Sequence, residues 1–466
     1  MLRVLLMLAA AVSAAHAQGT AAEPTQQVPV APLTMLPHSD SSPWLVSGQI
    51  NSILQGHGAF HSPYEGTNSL RARGEYKVSL LGTLYLGLQP WQMFSHGVAA
   101  KRYNTDLILD IESTGGRGIS QALGLAGFTN LDVVRNPTLG SRPYIARVGI
   151  HQTIGFTNEM VTVQRTPVSL ATQVPVRRLE LRAGKLSSPD FFDINSVLSD
   201  SHLQFTNWSI DNNGAWDYAA DTRGYTYGAV AEYQDRNWAV RYGLMLMPTM
   251  ANGIDLDWSA RRARGQNMEA EVRRGWLPGR SGVSRVLAFV NTAHMGSYRE
   301  ANAAFHSGAD STPDVTRHAH TGATKYGFGY NFEQSVTGSL TVAGRFGWND
   351  GKTESYAYTE VEQTFTLGAI YTGSQWRRPF DKVGVAVSSN AIKRDHQLYL
   401  ANGGLGFLLG DGALRYGRET SVEAFYNVHA YRGLYFAPGV TLTNNPGYNQ
   451  DRGPVWVPSF RAHVDF

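Results

Sequence analysis

Arg147, Arg178, Glu180, Arg182, Glu232, Arg241 and Arg345 share a setting: each lies in a segment where charged or polar residues alternate with aliphatic or aromatic ones. A period of two puts the charges on one face of a strand and the apolar residues on the other. Placing Arg or Lys against lipid at mid-membrane costs roughly 2–4 kcal/mol, so in strands that cross a bilayer these charges face inwards. Two uses are then open to them: pairing across neighbouring strands to satisfy a wet wall, or projecting at a constriction and setting selectivity. The excess of Arg within the group predicts a field that disfavours cations and lets neutral solutes pass. A second group lies in residues 187–223, where Trp208 and Trp216 stand among Asp211, Asn212, Asn213 and Asp217. Planar polar groups that pair with vicinal hydroxyls, beside aromatic faces that stack on C–H patches, are the parts from which a sugar site is built. The same Asp and Asn residues also suit the turns of an outer loop folded on itself.

Other chemistries find little support. The 466 residues include no cysteine, which removes disulfides and thiolate metal sites. There is no nucleophile elbow, no HExxH and no paired metal spacing. His151 and His429 fall on alternating segments and read as lumen polar groups rather than ligands. The glycine-rich run 403–412 lacks the Lys and Ser/Thr of a phosphate loop. No catalytic residue, metal or cofactor is therefore expected. A net charge of +3 is small for this length and argues against a nucleic-acid partner.

The elements that must position these residues are strands long enough to cross a membrane. Residues 225–247 show this most clearly. Tyr225, Tyr227, Ala229, Ala231 and Tyr233 form one row, and Trp238, Val240, Tyr242, Leu244 and Leu246 form its partner beyond the turn at 235–237. Aromatic residues bracket both apolar rows, and each strand approaches the ~9–11 residues needed to cross a bilayer at a tilt. Residues 326–348 and 422–442 repeat the pattern. A mean hydropathy of −0.25 and the absence of a long apolar run after the N-terminus exclude a helical membrane protein.

The chain divides into a secretory signal at 1–17, cleaved before Gln18, a periplasmic lead-in at 18–43 and a strand-rich domain at 44–466. Alternating segments yield about sixteen strands, an even number as a closed bacterial barrel requires. The fold expected is thus all-β, a transmembrane antiparallel barrel with long extracellular loops. With the N-terminus in the periplasm, the long segments 115–143, 187–223, 294–323 and 391–419 fall outside, and the tight turns 235–237, 334–338 and 431–433 fall inside. Residues 152–177 are long for the periplasmic side. A change of phase near Gly82 predicts a β-bulge. The last row, Trp456, Phe460, Ala462, Val464 and Phe466, ends the chain on an aromatic residue, as in substrates of outer-membrane insertion.

Several local motifs sharpen this. They are Gly184-Lys185-Leu186, Asp190-Phe191-Phe192-Asp193, Gln204-Phe205-Thr206-Asn207-Trp208, Asn213-Gly214-Ala215-Trp216-Asp217-Tyr218 and Asp221-Thr222-Arg223-Gly224-Tyr225. Further on come Gly347-Trp348-Asn349-Asp350-Gly351, Gly403-Gly404-Leu405-Gly406-Phe407 and Asn445-Pro446-Gly447-Tyr448-Asn449. Together they resemble the OprB-type carbohydrate-selective porins over most of the mature chain. The resemblance implies a barrel that lets sugars diffuse across the outer membrane, with mono- or oligosaccharide solutes and outer-membrane lipid as partners. Monomer and trimer remain open. The alternative is a barrel with a closed lumen that binds or assembles surface polysaccharide.

Overall fold

The computed structural model describes residues 34–39, 42–94, 102–133 and 139–466. The expected signal at 1–17 and most of the expected lead-in at 18–43 lie outside the described residues. In chain order the strands are β1 (Trp44–His57), β2 (Glu75–Leu88), β3 (Tyr103–Gly116), β4 (Tyr144–Gly155), β5 (Met160–Thr162), β6 (Gln173–Pro175), β7 (Arg178–Leu186), β8 (Thr226–Gln234) and β9 (Trp238–Met245). They continue as β10 (Arg264–Val272), β11 (Gly282–Gly296), β12 (Ala319–Ser335), β13 (Leu340–Asn349), β14 (Gln363–Gly373), β15 (Arg378–Ala391), β16 (Glu419–Tyr431), β17 (Leu434–Asn444) and β18 (Val455–Asp465). All but β5 and β6 join one closed antiparallel barrel of sixteen strands. It is sealed by β1 against β18, with Gln49 opposite Asp465 and Gln55 opposite Ser459.

Alternation explains which way each side chain points. Phe328, Phe346, Phe365, Val385, Val422 and Phe460 are exposed on the outer wall, while Asn331, Arg345, Thr366, Ser388, Glu423 and Arg461, one or three steps away on the same strands, are buried inside. Apolar outside and polar inside suits lipid as the outer solvent, and closure leaves no unpaired edge in it. Aromatic residues such as Tyr227 with Trp258, and Tyr233 with Trp238, pack at tilted angles near the ends of the wall.

The connections 235–237, 336–339, 374–377 and 432–433 form one end of the barrel and the long segments the other, as loop length predicts. Of residues 152–177, 152–155 complete the barrel strand β4, and the separate hairpin β5–β6 accounts for the length of the rest. At the long-loop end the helices Tyr298–His306 and Arg394–Ala401 pack together, with Asn302 donating to the Asp395 carbonyl (2.8 Å).

Two expectations need correction. There is no bulge at Gly82: β2 keeps an unbroken register with β1 and β3. Leu81 and Tyr85 point into the lumen, where folded-in segments give apolar groups something to pack on, and this mimicked a change of phase. The β3–β4 pairing instead shifts between Asp110 and Ile111, next to Arg147. Tyr225, in turn, does not belong to the outer row. Gly224 has φ +91°, a left-handed turn that glycine takes without strain, and after it the buried Tyr225 ring lies inside the barrel.

The apolar core also lies in the lumen. Phe128, Phe192, Trp208, Trp216, Tyr218 and Tyr358 form its centre. They come from residues 117–133, 187–223 and 350–362, which fold inward from the long-loop end.

Candidate functional site

Residues 187–223 enter the lumen because wall side chains replace the water their backbone would otherwise need. Glu269 accepts the Asp193 N–H (2.7 Å), Glu333 that of Ser196 (2.8 Å), and Glu423 those of Thr206 (2.8 Å) and Asn207 (3.0 Å). From the donor side, Arg461 reaches the carbonyls of Ser201 and Gln204, both at 2.8 Å. Arg345, fully buried, reaches the Ile210 carbonyl (2.6 Å) and the Asp193 carbonyl (3.0 Å), with its Nε 2.8 Å from the Asp193 carboxylate. Asn213 seats itself over Gly347 and Gly329, where a Cβ would collide with its amide. Residues 117–133 are held similarly: Glu419 accepts the N–H groups of Ala126 (2.9 Å) and Gly127 (2.7 Å), and the Trp208 indole donates to the Asn130 carbonyl (2.8 Å).

These segments leave a cavity of about 610 Å³ against the inner face of β1–β4. It runs from Thr222, Asn252 and Ala357 at the long-loop end to Gln49 and Tyr85, well towards the other end. Arg147 is its central charge. Two of its nitrogens lie 2.7 Å from the two Asp190 oxygens, a third is 3.2 Å from Asp110, and the guanidinium sits 5.3 Å from the Tyr225 ring centre. Tyr225 donates its hydroxyl to Glu112 (2.9 Å), as does Tyr144, and Arg223 stacks 3.7 Å from the Tyr144 ring centre. A planar fork, fixed carboxylates and ring faces thus converge on one side of the cavity.

Elsewhere in the lining, burial pushes the Asp211 carboxyl up to about 8 despite the Arg345 charge. Burial would lower the His202 pKa, but Asp132 at 3.5 Å outweighs it and raises it to about 9.

The expected site residues separate into groups. Arg147 lines the cavity. Trp208 also borders it, although the ring is mostly buried against Tyr358 (5.7 Å) and Phe128 (5.8 Å). Trp216 and Asp217 lie within packing instead. The Trp216 indole donates to Asn267 (2.9 Å), and Asp217 accepts from Tyr356 (2.9 Å), Ala357 (2.8 Å) and Lys325 (3.2 Å). Arg345 is an anchor for the folded-in segment.

Arg178, Glu180, Arg182, Glu232 and Arg241 form a ladder along the wall. Arg178 pairs with Glu180 (2.5 Å), Arg182 with both Glu180 and Glu232 (3.1 Å to the latter), and Arg241 with Glu232 (2.7 Å), Glu269 (2.5 Å) and Glu271 (3.0 Å). Arg285 extends it to Glu333 (3.1 Å), and Arg273 joins it at Glu271 (2.7 Å). His151 touches the ladder through Glu180 (3.8 Å) and bonds Asp106 (2.9 Å), while His429 packs on Tyr435 beside the Arg432–Gly433 turn.

The expected cation-repelling field is not built. Five arginines of the ladder meet five glutamates, Glu180, Glu232, Glu269, Glu271 and Glu333. The cavity lining itself carries Glu112, Asp132, Asp190, Asp200, Asp211 and Asp221 against Arg147, Arg223 and His202. Five of the six cavity carboxylates sit in segments without period, where alternation gives no orientation. Asp190 and Arg223 lie in such segments, Tyr225 just precedes β8 and Glu112 lies within β3, so alternation does not single them out; the motifs at 190–193 and 221–225 are the sequence signal that contains three of them.

A family model described as carbohydrate-selective porin, OprB family, matches residues 102–466. Among solved structures, the high-pH structure of OprB from Pseudomonas putida is similar at a TM-score of 0.68 and 16% identity, covering 91% of this chain and 94% of that one. The low-pH structure of the same protein gives 0.48 at 11% identity, covering 91% and 93%. The outer membrane channel DcaP of Acinetobacter baumannii gives 0.46 at 9% identity, covering 91% and 97%. A comparison with curated proteins finds no match. With the family matched across most of its length and a sixteen-strand barrel of porin type, the chain belongs to the OprB family of carbohydrate-selective porins.

Proposed function

We propose that sugars cross the outer membrane through this chain by passive diffusion along the lumen cavity, and that they are read where Arg147, Glu112, Asp190, Tyr225 and Trp208 meet. The observation that carries this reading is the cavity itself, bordered by charged forks, carboxylates and rings on one side and by the folded-in segment on the other. A sugar can exchange its water for these fixed partners at little reorganisation cost, while its C–H faces meet the rings. The ladder at Arg178–Arg241 serves in this reading as wall. Residues 1–17 export the chain and are removed before Gln18, and the barrel has no catalytic role.

Liposome swelling tests the proposal. Vesicles carrying the purified protein are expected to swell in isotonic monosaccharide faster than in an uncharged, non-sugar solute of equal size. Equal swelling in both would reduce the chain to an unselective pore, and no swelling together with polysaccharide binding would favour the closed-lumen alternative. Mass spectrometry of the mature protein is expected to find Gln18 at its N-terminus; an intact residue 1 would contradict the export reading.

A further inference from the structure

The connection from β4 to β7 belongs to the short-turn end, yet its middle turns back into the barrel. Beyond the hairpin β5–β6 the ladder continues, with Val163 donating to the Thr172 carbonyl (3.0 Å). It closes in a turn where the Thr166 and Ser169 N–H groups each donate to the other's carbonyl (2.8 and 3.2 Å).

Three contacts seat that turn in the lumen. Leu170 is 1% exposed and lies over Gly87 of β2, where a Cβ would come within 2.5 Å of its methyl group. The Leu170 N–H donates to the Asp106 carboxylate of β3 (3.1 Å), which is itself buried on the inner wall against His151 (2.9 Å) and Gln89 (2.8 Å). Val168 packs against the apolar core of the lumen. At the mouth, the Arg165 guanidinium donates to the Ser39 carbonyl (3.0 Å).

The seat lies beneath the cavity. Tyr85, which lines the cavity, is one inward step before Gly87 on β2. Asp110, a partner of Arg147, stands opposite Tyr85 and is two inward steps from Asp106 on β3. Solute moving from Arg147 along β2 and β3 towards the short-turn end therefore meets the turn at Leu170. Residues 166–171 carry no charged or amide side chain, and their backbone bonds to itself and to Asp106. Such a turn narrows a path without recognising what passes, and the width of a path decides which solutes pass.

We infer that the turn 166–171, seated by Leu170 on Gly87, is the floor of the sugar passage and sets the size of the sugars that leave it for the periplasm. This rests on the reading of the cavity as the sugars' path: Arg147 and its neighbours select by contact, and the turn selects by width.

The test is single-channel recording on the full-length protein, with polyethylene glycols of increasing size added to one face of the bilayer at a time. In one variant Asn-Gly replaces residues 163–172, closing Thr162 on Gln173 as a two-residue hairpin. A second variant, Leu170→Gly, keeps the turn and removes its seat. Both are expected to admit larger polymers from the short-turn face, the shortened chain more so, with the cut-off from the long-loop face unchanged. In liposomes both are expected to raise trisaccharide entry severalfold relative to monosaccharide entry, while Gln164→Ala, at an exposed position beside the turn, matches the parent. Heat-modifiable gel migration checks that each barrel is closed; where the shortened chain does not close, Leu170→Gly carries the test. A parent current that no sugar blocks would remove the reading of the cavity, and this inference with it. Block retained in the parent, with the short-turn cut-off unchanged in the variants or widened equally from both faces, would overturn this inference alone.

Discussion

Arg345 and Arg147 occupy equivalent inward positions on their strands but do different work. Arg345 has no exposed surface and spends its donors on the folded-in segment, through Asp193 and the Ile210 carbonyl. Removing one partner of a buried pair leaves the other charge stranded, at about 3–5 kcal/mol. Arg345→Ala is therefore expected to loosen residues 187–223, seen as faster hydrogen exchange at Asp193–Asp211 and a larger single-channel current; unchanged exchange would contradict the anchoring role. Both arginines were legible as lumen-facing, because the cost of charge in lipid fixes their direction. Their fates were not, since Asp193 and Asp190 come from segments about 40 to 150 residues away that have no period to orient them.

His396 permits a prediction with a definite sign. It is fully buried, with Nδ1 2.8 Å from Glu362, Nε2 3.6 Å from Glu360, and its ring 4.1 Å from that of Tyr298. Burial would lower its pKa, but the two glutamates outweigh this and raise it to about 9. A folded pKa raised above 6.5 gives stability that is complete below 6.5 and lost as pH rises through 9, roughly 3 kcal/mol in all. Hydrogen-exchange protection of the helix Arg394–Ala401 is expected to fall across that window in the parent and to stay flat in His396→Gln. Parallel profiles would contradict the assignment.

At the scale of elements, the strands and the segments between them obey different constraints. A strand in the wall has one apolar and one polar face whatever its neighbours are, so its existence and phase can be read locally; β8 and β9 follow the rows seen in the sequence except at Tyr225. The folded-in segment takes its shape from distant wall groups such as Glu269, Glu423 and Arg461, and nothing local announces them. Gly347 shows the coupling from the strand side, because its missing Cβ leaves room for the Asn213 amide. Gly347→Leu is expected to leave the barrel closed, by heat-modifiable migration, while displacing the segment and raising the conductance. A conductance equal to the parent's would show that Asn213 has room to move aside and that the close approach is not what seats the segment.

For the molecule as a whole, polar inner and apolar outer faces make the barrel, and the barrel alone would be a wide, unselective hole. In the proposed reading, selectivity comes from the segments that fill the lumen and leave a lined cavity beside β1–β4. Closure and strand number were legible because sixteen independent alternations had to close without an edge. The narrowing was not, because it depends on which long segments turn inward. The most direct test of the account is single-channel recording in a planar bilayer with sugar added stepwise. The parent is expected to conduct, with a current that falls saturably as sugar occupies the cavity, and Arg147→Ala is expected to need about tenfold or more sugar for the same block, as loss of charge-assisted hydrogen bonds implies. A current indifferent to every sugar tested, or identical block in Arg147→Ala, would contradict the reading of this cavity as the place where sugars are selected.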